Sequence, residues 1–281
     1  NYVDMCATLA KKPQQKDFFA YAQKALQRTD SCYYSMIHRL LDSVEEDRIC
    51  TVGVNMGFGG LIYGASEMKK QADVDGKPIA WITAARCGDE RLADMVPKAA
   101  KKGNFVWLLD ATANDPVHAV SLAKANPQNA FGLLADPAAL DDACVNALTA
   151  CRNLVVMPLL QTPELTAEAC RAARRLKAQK MFYALTVLVD DDTVDEVTQD
   201  DWLESIAQET LFCMCARKPG ISAESSHKLR RSIVDGRMET GKPVLLLDWD
   251  GDVNYLNNRI SEHMTFGSVL AEGETFPLQL G

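Results

Sequence analysis

The sequence lacks the excess of basic residues that proteins binding nucleic acids or anionic membranes use. Its 281 residues include 30 Lys and Arg against 38 Asp and Glu, for a formal net charge of -8. Because phosphate neutralisation needs a basic face, we expect no nucleic-acid partner and no membrane partner. No uninterrupted apolar run approaches the roughly 18 residues of a membrane span, and no signal peptide is visible.

Motifs that bind metals or nucleotides are also missing. The nine cysteines form no C-x-x-C, and the four histidines form no H-x-x-x-H, so a zinc site is not indicated. The Gly-rich run 51–66 contains neither G-x-G-x-x-G nor the Gly-Lys-Ser/Thr of a P-loop, and we expect its glycines to serve tight turns or close helix contacts. A chain of this size needs no disulfide framework, so we expect reduced thiols in a cytoplasmic protein.

From residue 78 onward, short apolar segments alternate with helical ones. The apolar segments are hydrophobic at both odd and even positions, which is typical of a parallel sheet covered on both faces. Short loops between strand and helix favour an α/β fold, and the count favours a partial (βα) barrel of six to seven parallel strands over an open doubly wound sheet. The predicted strands are 79–85, 104–109, 130–135, 153–160, 181–189, 211–216 and 243–248.

The flanking regions differ from this rhythm. Residues 17–28 and a segment capped by Asp30 or Ser31 predict two amphipathic helices, which we expect to cover the bottom of the barrel or to form a dimer or partner interface. We therefore expect three parts: an N-terminal helical region with the Gly-rich connector, the barrel, and a C-terminal tail packing on it. Their bounds are 1–77, 78–252 and 253–281.

The carboxyl ends of parallel strands are where functional groups belong in barrels and in open α/β sheets. Here those ends carry one thiol and many acids, so they are the predicted site. The residues are Cys87, Asp110, Asp115, Asp136, Gln161, Asp190, Lys218 and Asp248.

The stretch from Met181 to Asp252, about a quarter of the chain, resembles the C-terminal half of a subgroup of radical S-adenosylmethionine (radical SAM) proteins. This resemblance implies a partial βα barrel that binds S-adenosylmethionine and a [4Fe–4S] cluster. The residues that carry it are Leu185-Thr-Val187, Val194-Asp-Glu-Val-Thr198, Asp201-Trp-Leu203, Phe212-Cys-Met-Cys215, Pro219-Gly220 and Lys242-Pro-Val-Leu-Leu-Leu-Asp-Trp249.

The positions that carry the chemistry in that family are altered here. The family's cluster loop, C-x-x-x-C-x-x-C, follows the first strand and supplies thiolates to iron. Cys87 takes the first position, but Arg91 and Asp94 stand at the second and third. The family's Gly-Gly-Glu-Pro would fall near residues 113–116, where Asp115 keeps the acid before proline and both glycines are absent. The resemblance thus implies that Cys87, Asp110 and Asp115 stand at the strand-end positions that bind cofactors in the family. Because the cluster motif is not intact, we expect no cofactor to bind here.

Three classes of function follow. The leading hypothesis is a pseudoenzyme that keeps the barrel, has lost the cluster and binds a small ligand or a protein partner. The alternatives are an enzyme and an assembly protein using helices of residues 17–46. The enzyme would be a radical SAM catalyst with displaced ligands among Cys87, Cys213 and Cys215, or a barrel enzyme using acids such as Asp110, Asp115 and Asp136.

Two other patterns receive structural interpretations. Asp248-Trp-Asp-Gly-Asp252 resembles the start of a haloacid-dehalogenase phosphatase or a Ca²⁺ loop, but only 29 residues follow it. We expect a solvated acidic turn there, because acids usually stay exposed. Cys213 and Cys215 lie two apart on one strand and share a face, and we expect them to be small buried packing residues.

Overall fold

The computed structural model describes residues 2–10, 13–77, 79–239, 241–256 and 267–269. Its centre is one parallel sheet in the order β7-β6-β5-β4-β3-β2-β1-β8. The α/β partial barrel is therefore confirmed, and a three-residue strand adds to the seven expected ones. The strands are β1 Ile82–Arg86, β2 Val106–Ala111, β3 Ala130–Ala135, β4 Leu154–Leu160, β5 Leu185–Val189, β6 Phe212–Arg217, β7 Leu245–Asp248 and β8 Gly267–Val269.

The sheet curls, as its side chains show. Side chains alternate between the two faces of a strand. Side chains from one face of six consecutive strands meet in a single apolar cluster. They include Ala84 on β1, Leu108 on β2 and Ala216 on β6. Strands that far apart bring side chains together only on the inside of a curved sheet, so we call this the concave face. Side chains from the other face pack under the outer helices in two separate clusters.

The N-terminal region forms helices that pack on the barrel. Cys32 and Leu40, on the third helix, pack with Phe212 and Leu245 at the amino ends of β6 and β7. Of the apolar stripes predicted for residues 17–46, Phe19, Ala25, Leu40 and Val44 are buried within the chain, whereas Leu41 is 55% exposed. The helices are α1 Tyr2–Leu9, α2 Pro13–Gln27, α3 Cys32–Ser43, α4 Glu46–Gly53 and α5 Ala65–Asp75.

The Gly-rich run Val54–Gly64 is a π-helical segment that joins α4 to α5 in one continuous helix. A Cβ on Gly64 would lie 2.3 Å from the Gly103 carbonyl oxygen, and one on Gly60 would lie 3.0 Å from a Val106 methyl group. These glycines let the helix approach the amino ends of the strands, so the expected close helix contact is confirmed.

The continuous helix Glu46–Asp75 is the one helix among the described residues that is long and apolar enough to cross a membrane by length and composition. Its most apolar stretch is 28% buried within the chain. Here polar bonds attach the helix to the barrel. The Asn55 side-chain amide donates to the carbonyl oxygens of Pro127 and Asn129 at 2.8 and 2.9 Å, and Arg48 donates to that of Thr149 at 2.7 Å.

The outer helices cover the convex side of the sheet. Residues 137–151 contain two separate helical pieces, because Asp136 and Asp141 each cap a separate start. A short helix at 194–197 was not predicted at all. The outer helices are α6 Leu92–Lys101, α7 His118–Ala125, a 3₁₀ turn Pro137–Ala139, α8 Asp142–Leu148, α9 Ala167–Ala178, α10 Val194–Val197, α11 Asp200–Ile206 and α12 Ala223–Met238.

The C-terminal segment is more regular than its sequence suggests. Among the described residues, the helix nearest the C-terminus is α13 Trp249–Leu256, which follows β7 with no intervening loop. Further on, β8 pairs with β1 in parallel, with Ser268 opposite Ala84. Residues 257–266 and 270–281 lie outside the described part of the chain, so the packing predicted for the tail as a whole stays a prediction.

Candidate functional site

Cys87 follows β1, and its thiol lies on the convex side. It is 2% exposed and belongs to the apolar cluster under α6, α7 and α8. Its backbone N–H donates to the Asp110 carbonyl oxygen at 2.7 Å, which extends the β1–β2 pairing by one residue. Burial, followed by the charges of Asp115 and Asp110, raises the pKa of the thiol to about 12. Since the thiolate is the metal ligand and nucleophile, Cys87 is held in its inactive form at neutral pH.

The other two positions of the expected cluster loop make surface ion pairs. The Arg91 Nε donates to both oxygens of Asp89, at 2.9 and 3.0 Å. Asp94 lies on α6 and pairs with Lys98 at 2.5 Å, with both side chains exposed. One buried thiol, one guanidinium and one exposed carboxylate do not fit a [4Fe–4S] cluster, whose iron requires thiolates.

The remaining thiols proposed as displaced ligands do not join Cys87. Cys213 and Cys215 are fully buried in the cluster that packs under α9, α11 and α12, whereas Cys87 belongs to the cluster under α6, α7 and α8. A hydrogen bond that the Cys213 thiol donates to Cys215, together with burial, raises the pKa of Cys213 well above its ordinary value. Their expected role as packing residues is confirmed. Within the described residues, no three His, Cys, Asp or Glu side chains are grouped so that they could hold a metal ion.

A shallow polar pocket of about 260 Å³ opens beside Cys87. Gly88 has a φ of +88°, and a Cβ there would lie 2.8 Å from the Nδ1 atom of His118. The imidazole of His118 thus packs directly on the backbone of the loop after β1. Asn114 and His118 follow the neighbouring strand; the sequence placed Asn114 in the strand end 110–116 but gave His118 no role at the site. The pocket is lined by Arg86, Cys87, Gly88, Asp89, Arg91, Asn114 and His118.

The acids predicted at the strand ends shape their own loops. Asp110 accepts from the Thr112 N–H at 2.9 Å, and Asp115 accepts from the Val117 N–H at 2.9 Å. Asp136 accepts from the backbone N–H two residues later at 2.8 Å. Aspartates in this arrangement stabilise Asx turns, which accounts for an acid at each of these exits. The assignment of Asp110 and Asp115 as cofactor-binding positions stays a prediction.

One ion pair crosses the carboxyl ends of β5 and β6. Lys218 lies 2.7 Å from an oxygen of Asp190, and the other carboxylate oxygen accepts from the Thr193 hydroxyl at 2.7 Å. Hydrogen bonds from Lys218 and Thr193 lower the pKa of Asp190 to about 2. The carboxylate is therefore ionised at neutral pH, and each of its oxygens bonds to a neighbouring side chain.

The expected solvated acidic turn at 248–252 is wrong, because its aspartates are paired with arginines in a cluster that is largely buried. Asp248 is 0% exposed, and one of its oxygens lies 2.9 Å from Arg217 and 3.4 Å from Arg230. These arginines come from β6 and α12, so local sequence did not reveal them. We call the group the six-charge cluster: Arg217, Arg230, Arg237, Asp248, Asp250 and Asp252.

Asp252 is the centre of this cluster. It lies 2.6 Å from Arg230 and 2.9 Å from the Nη1 atom of Arg237, and it accepts the Asp248 N–H at 2.9 Å. Burial acts to raise the pKa of Asp252, but the bonds from Arg237 and Arg230 outweigh it and lower the pKa. Guanidinium groups thus occupy the carboxylates that a phosphatase nucleophile or a Ca²⁺ loop would offer to a metal.

The other face of α13 covers the concave face of the sheet. Trp249 is buried in the concave cluster, and Val253 and Leu256 pack against it from the same helix. Their spacing of four and three residues places them on one side of α13. Near β6 and β7, the inside of the barrel is therefore filled by apolar side chains.

No protein-family model matches the sequence, and no curated protein matches it at a significant level. Parts of the chain are similar in structure to native anSMEcpe with bound AdoMet and Cp18Cys peptide, at 11% identity and a TM-score of 0.40 over 56% of this chain and 62% of that one. SuiB from Streptococcus suis bound to its precursor peptide SuiA is similar at 9% identity, with a TM-score of 0.42 over 74% of this chain and 53% of that one. SuiB alone is similar at 10% identity, with a TM-score of 0.41 over 73% of this chain and 52% of that one. The chain thus spans between about half and three-fifths of the length of these proteins.

Proposed function

We propose that this chain is a binding protein on a radical-SAM-like partial barrel that does not perform iron–sulfur chemistry. The observation that carries the proposal is the state of the loop after β1. Its single thiol is buried on the convex side with a pKa raised to about 12. Iron–sulfur clusters are held by several thiolates, so this loop offers neither the number nor the protonation state that ligation needs.

The acids at the strand ends support the same proposal. A general acid or base has to reach substrate with its carboxylate free. Asp110, Asp115 and Asp136 each accept a backbone N–H of their own turn, and Asp190 is paired with Lys218. Each of these groups has a role in loop structure, so its position at a strand end does not by itself call for a catalytic role.

Anaerobic reconstitution with iron and sulfide, followed by a visible spectrum and an iron count, tests this proposal. We expect no stoichiometric [4Fe–4S] signal from the wild-type chain. The variants Cys87→Ser and Cys144→Ser serve as a matched pair, because Cys144 is a second buried thiol in the same apolar cluster. A stoichiometric cluster that Cys87→Ser abolishes and Cys144→Ser retains would overturn the proposal and support a radical SAM catalyst.

A further inference from the structure

The helix α13 has two faces with different partners. Trp249, Val253 and Leu256 pack on the concave face of the sheet. Asp252 faces the arginines of α12, with Arg230 at 2.6 Å. The helix thus lies between the inside of the barrel and the six-charge cluster. It covers the inside of the barrel, and it bonds to the arginines of the cluster.

The electrostatic contact is one of the two contacts that hold this short helix in place, the other being its apolar face. A helix of 8 residues is not stable by itself in water, so α13 needs tertiary contacts to persist. On the acidic face of the helix, Asp252 bonds to the guanidinium groups of Arg230 and Arg237 and to the Asp248 N–H. The two arginines belong to α12, and Asp248 is the last residue of β7. Neutralising Asp252 removes the centre of the cluster while leaving the apolar face intact.

The concave face contains a polar group that its covering does not satisfy. The Thr186 hydroxyl on β5 is 0% exposed and has no hydrogen-bond partner. Thr186 has the same parity as Leu188, which belongs to the concave cluster, so its side chain points to the inside of the barrel. Buried hydroxyls normally have a partner, and a bound molecule with one hydrogen-bonding group would supply it.

We infer that α13 is a lid over the concave face, latched by the six-charge cluster, and that the face beneath it binds a small, mainly apolar molecule with one hydrogen-bonding group. This inference rests on the proposed binding function and names its site and ligand class. Opening requires the bonds of Asp252 to break, after which Trp249 leaves the concave cluster that it shares with Leu188, the residue two positions after Thr186 on β5.

Amide hydrogen exchange by mass spectrometry tests the lid in the wild-type chain and in Asp252→Asn. We expect amides of α13 to exchange roughly tenfold faster or more in the variant, while β2 and β3 keep wild-type rates. Asp195→Asn is the matched control, because Asp195 pairs with Lys228 of the same α12 helix on the exposed side. Unchanged exchange in α13, or an equal increase in all strands, would overturn the lid. If Asp252→Asn does not fold, Arg230→Gln takes its place with the same readout.

Phenol and toluene test the ligand class, because toluene carries a methyl group where phenol carries a hydroxyl group. We expect Asp252→Asn to bind phenol more tightly than the wild type does, and more tightly than it binds toluene. Thr186→Val added to Asp252→Asn should remove the preference for phenol. An open lid without phenol binding would overturn the ligand class. A stoichiometric cluster after reconstitution would instead overturn the proposed function and leave the exchange results unchanged.

Discussion

At the scale of single residues, the surroundings of a side chain decide whether it can do chemistry. Cys87 stands at the position that a cluster ligand would take, yet it lies among apolar side chains of the convex side. Asp115 and Asp110 add negative charge beside it, which further disfavours the thiolate. The residue type suggested a site, and its environment argues against one.

The pH dependence of alkylation tests this account of Cys87. Because its pKa is raised to about 12, the thiol stays protonated through neutral and mildly alkaline pH. In the folded chain we expect iodoacetamide to label Cys87 at least about 100-fold more slowly at pH 8 than Cys50, which is half-buried. Labelling of the unfolded chain is the control, since both thiols should then react alike. Equal labelling of the two in the folded chain would contradict the raised pKa.

At the scale of elements, local patterns were read correctly where local chemistry decides the structure. The strand 130–135 was predicted with its observed bounds. The segment 248–252 was misread, because its charges are satisfied by Arg217 and Arg230 from elsewhere in the chain. Neither periodicity nor spacing in the sequence indicates such distant partners, so the sequence predicted an acidic turn where α13 begins.

Glycine substitutions test the close approach of the π-helical segment to the barrel. A Cβ at Gly64 would meet backbone oxygens of Gly103 and Gly59, whereas a Cβ at Gly53 would meet nothing within 4 Å. We expect Gly64→Ala to lower the free energy of unfolding by about 1–3 kcal/mol. We expect Gly53→Ala in α4 to raise it by about 0.5–1 kcal/mol, because alanine favours the helix. Urea unfolding measures both, and equal effects would contradict the packing.

At the scale of the whole molecule, the alternation of strand and helix was enough to predict a partial barrel. It could not predict which side chains the curvature would bring together. The concave cluster joins residues from β1 to β6, and whether it is open or filled depends on α13, which follows the last predicted strand. The site expected at the carboxyl ends of the strands therefore stays a prediction, and the sequence did not reveal the helix that covers the inside of the barrel near β6 and β7.

Reductive cleavage of S-adenosylmethionine tests the central claim most directly. The chain, treated anaerobically with iron and sulfide, is incubated with dithionite and S-adenosylmethionine, and 5′-deoxyadenosine is quantified. The account predicts no more product than in a sample without protein, because the loop after β1 offers one buried, protonated thiol. Product that accumulates with time and protein concentration, and that disappears in Cys87→Ser but not in Cys144→Ser, would contradict it.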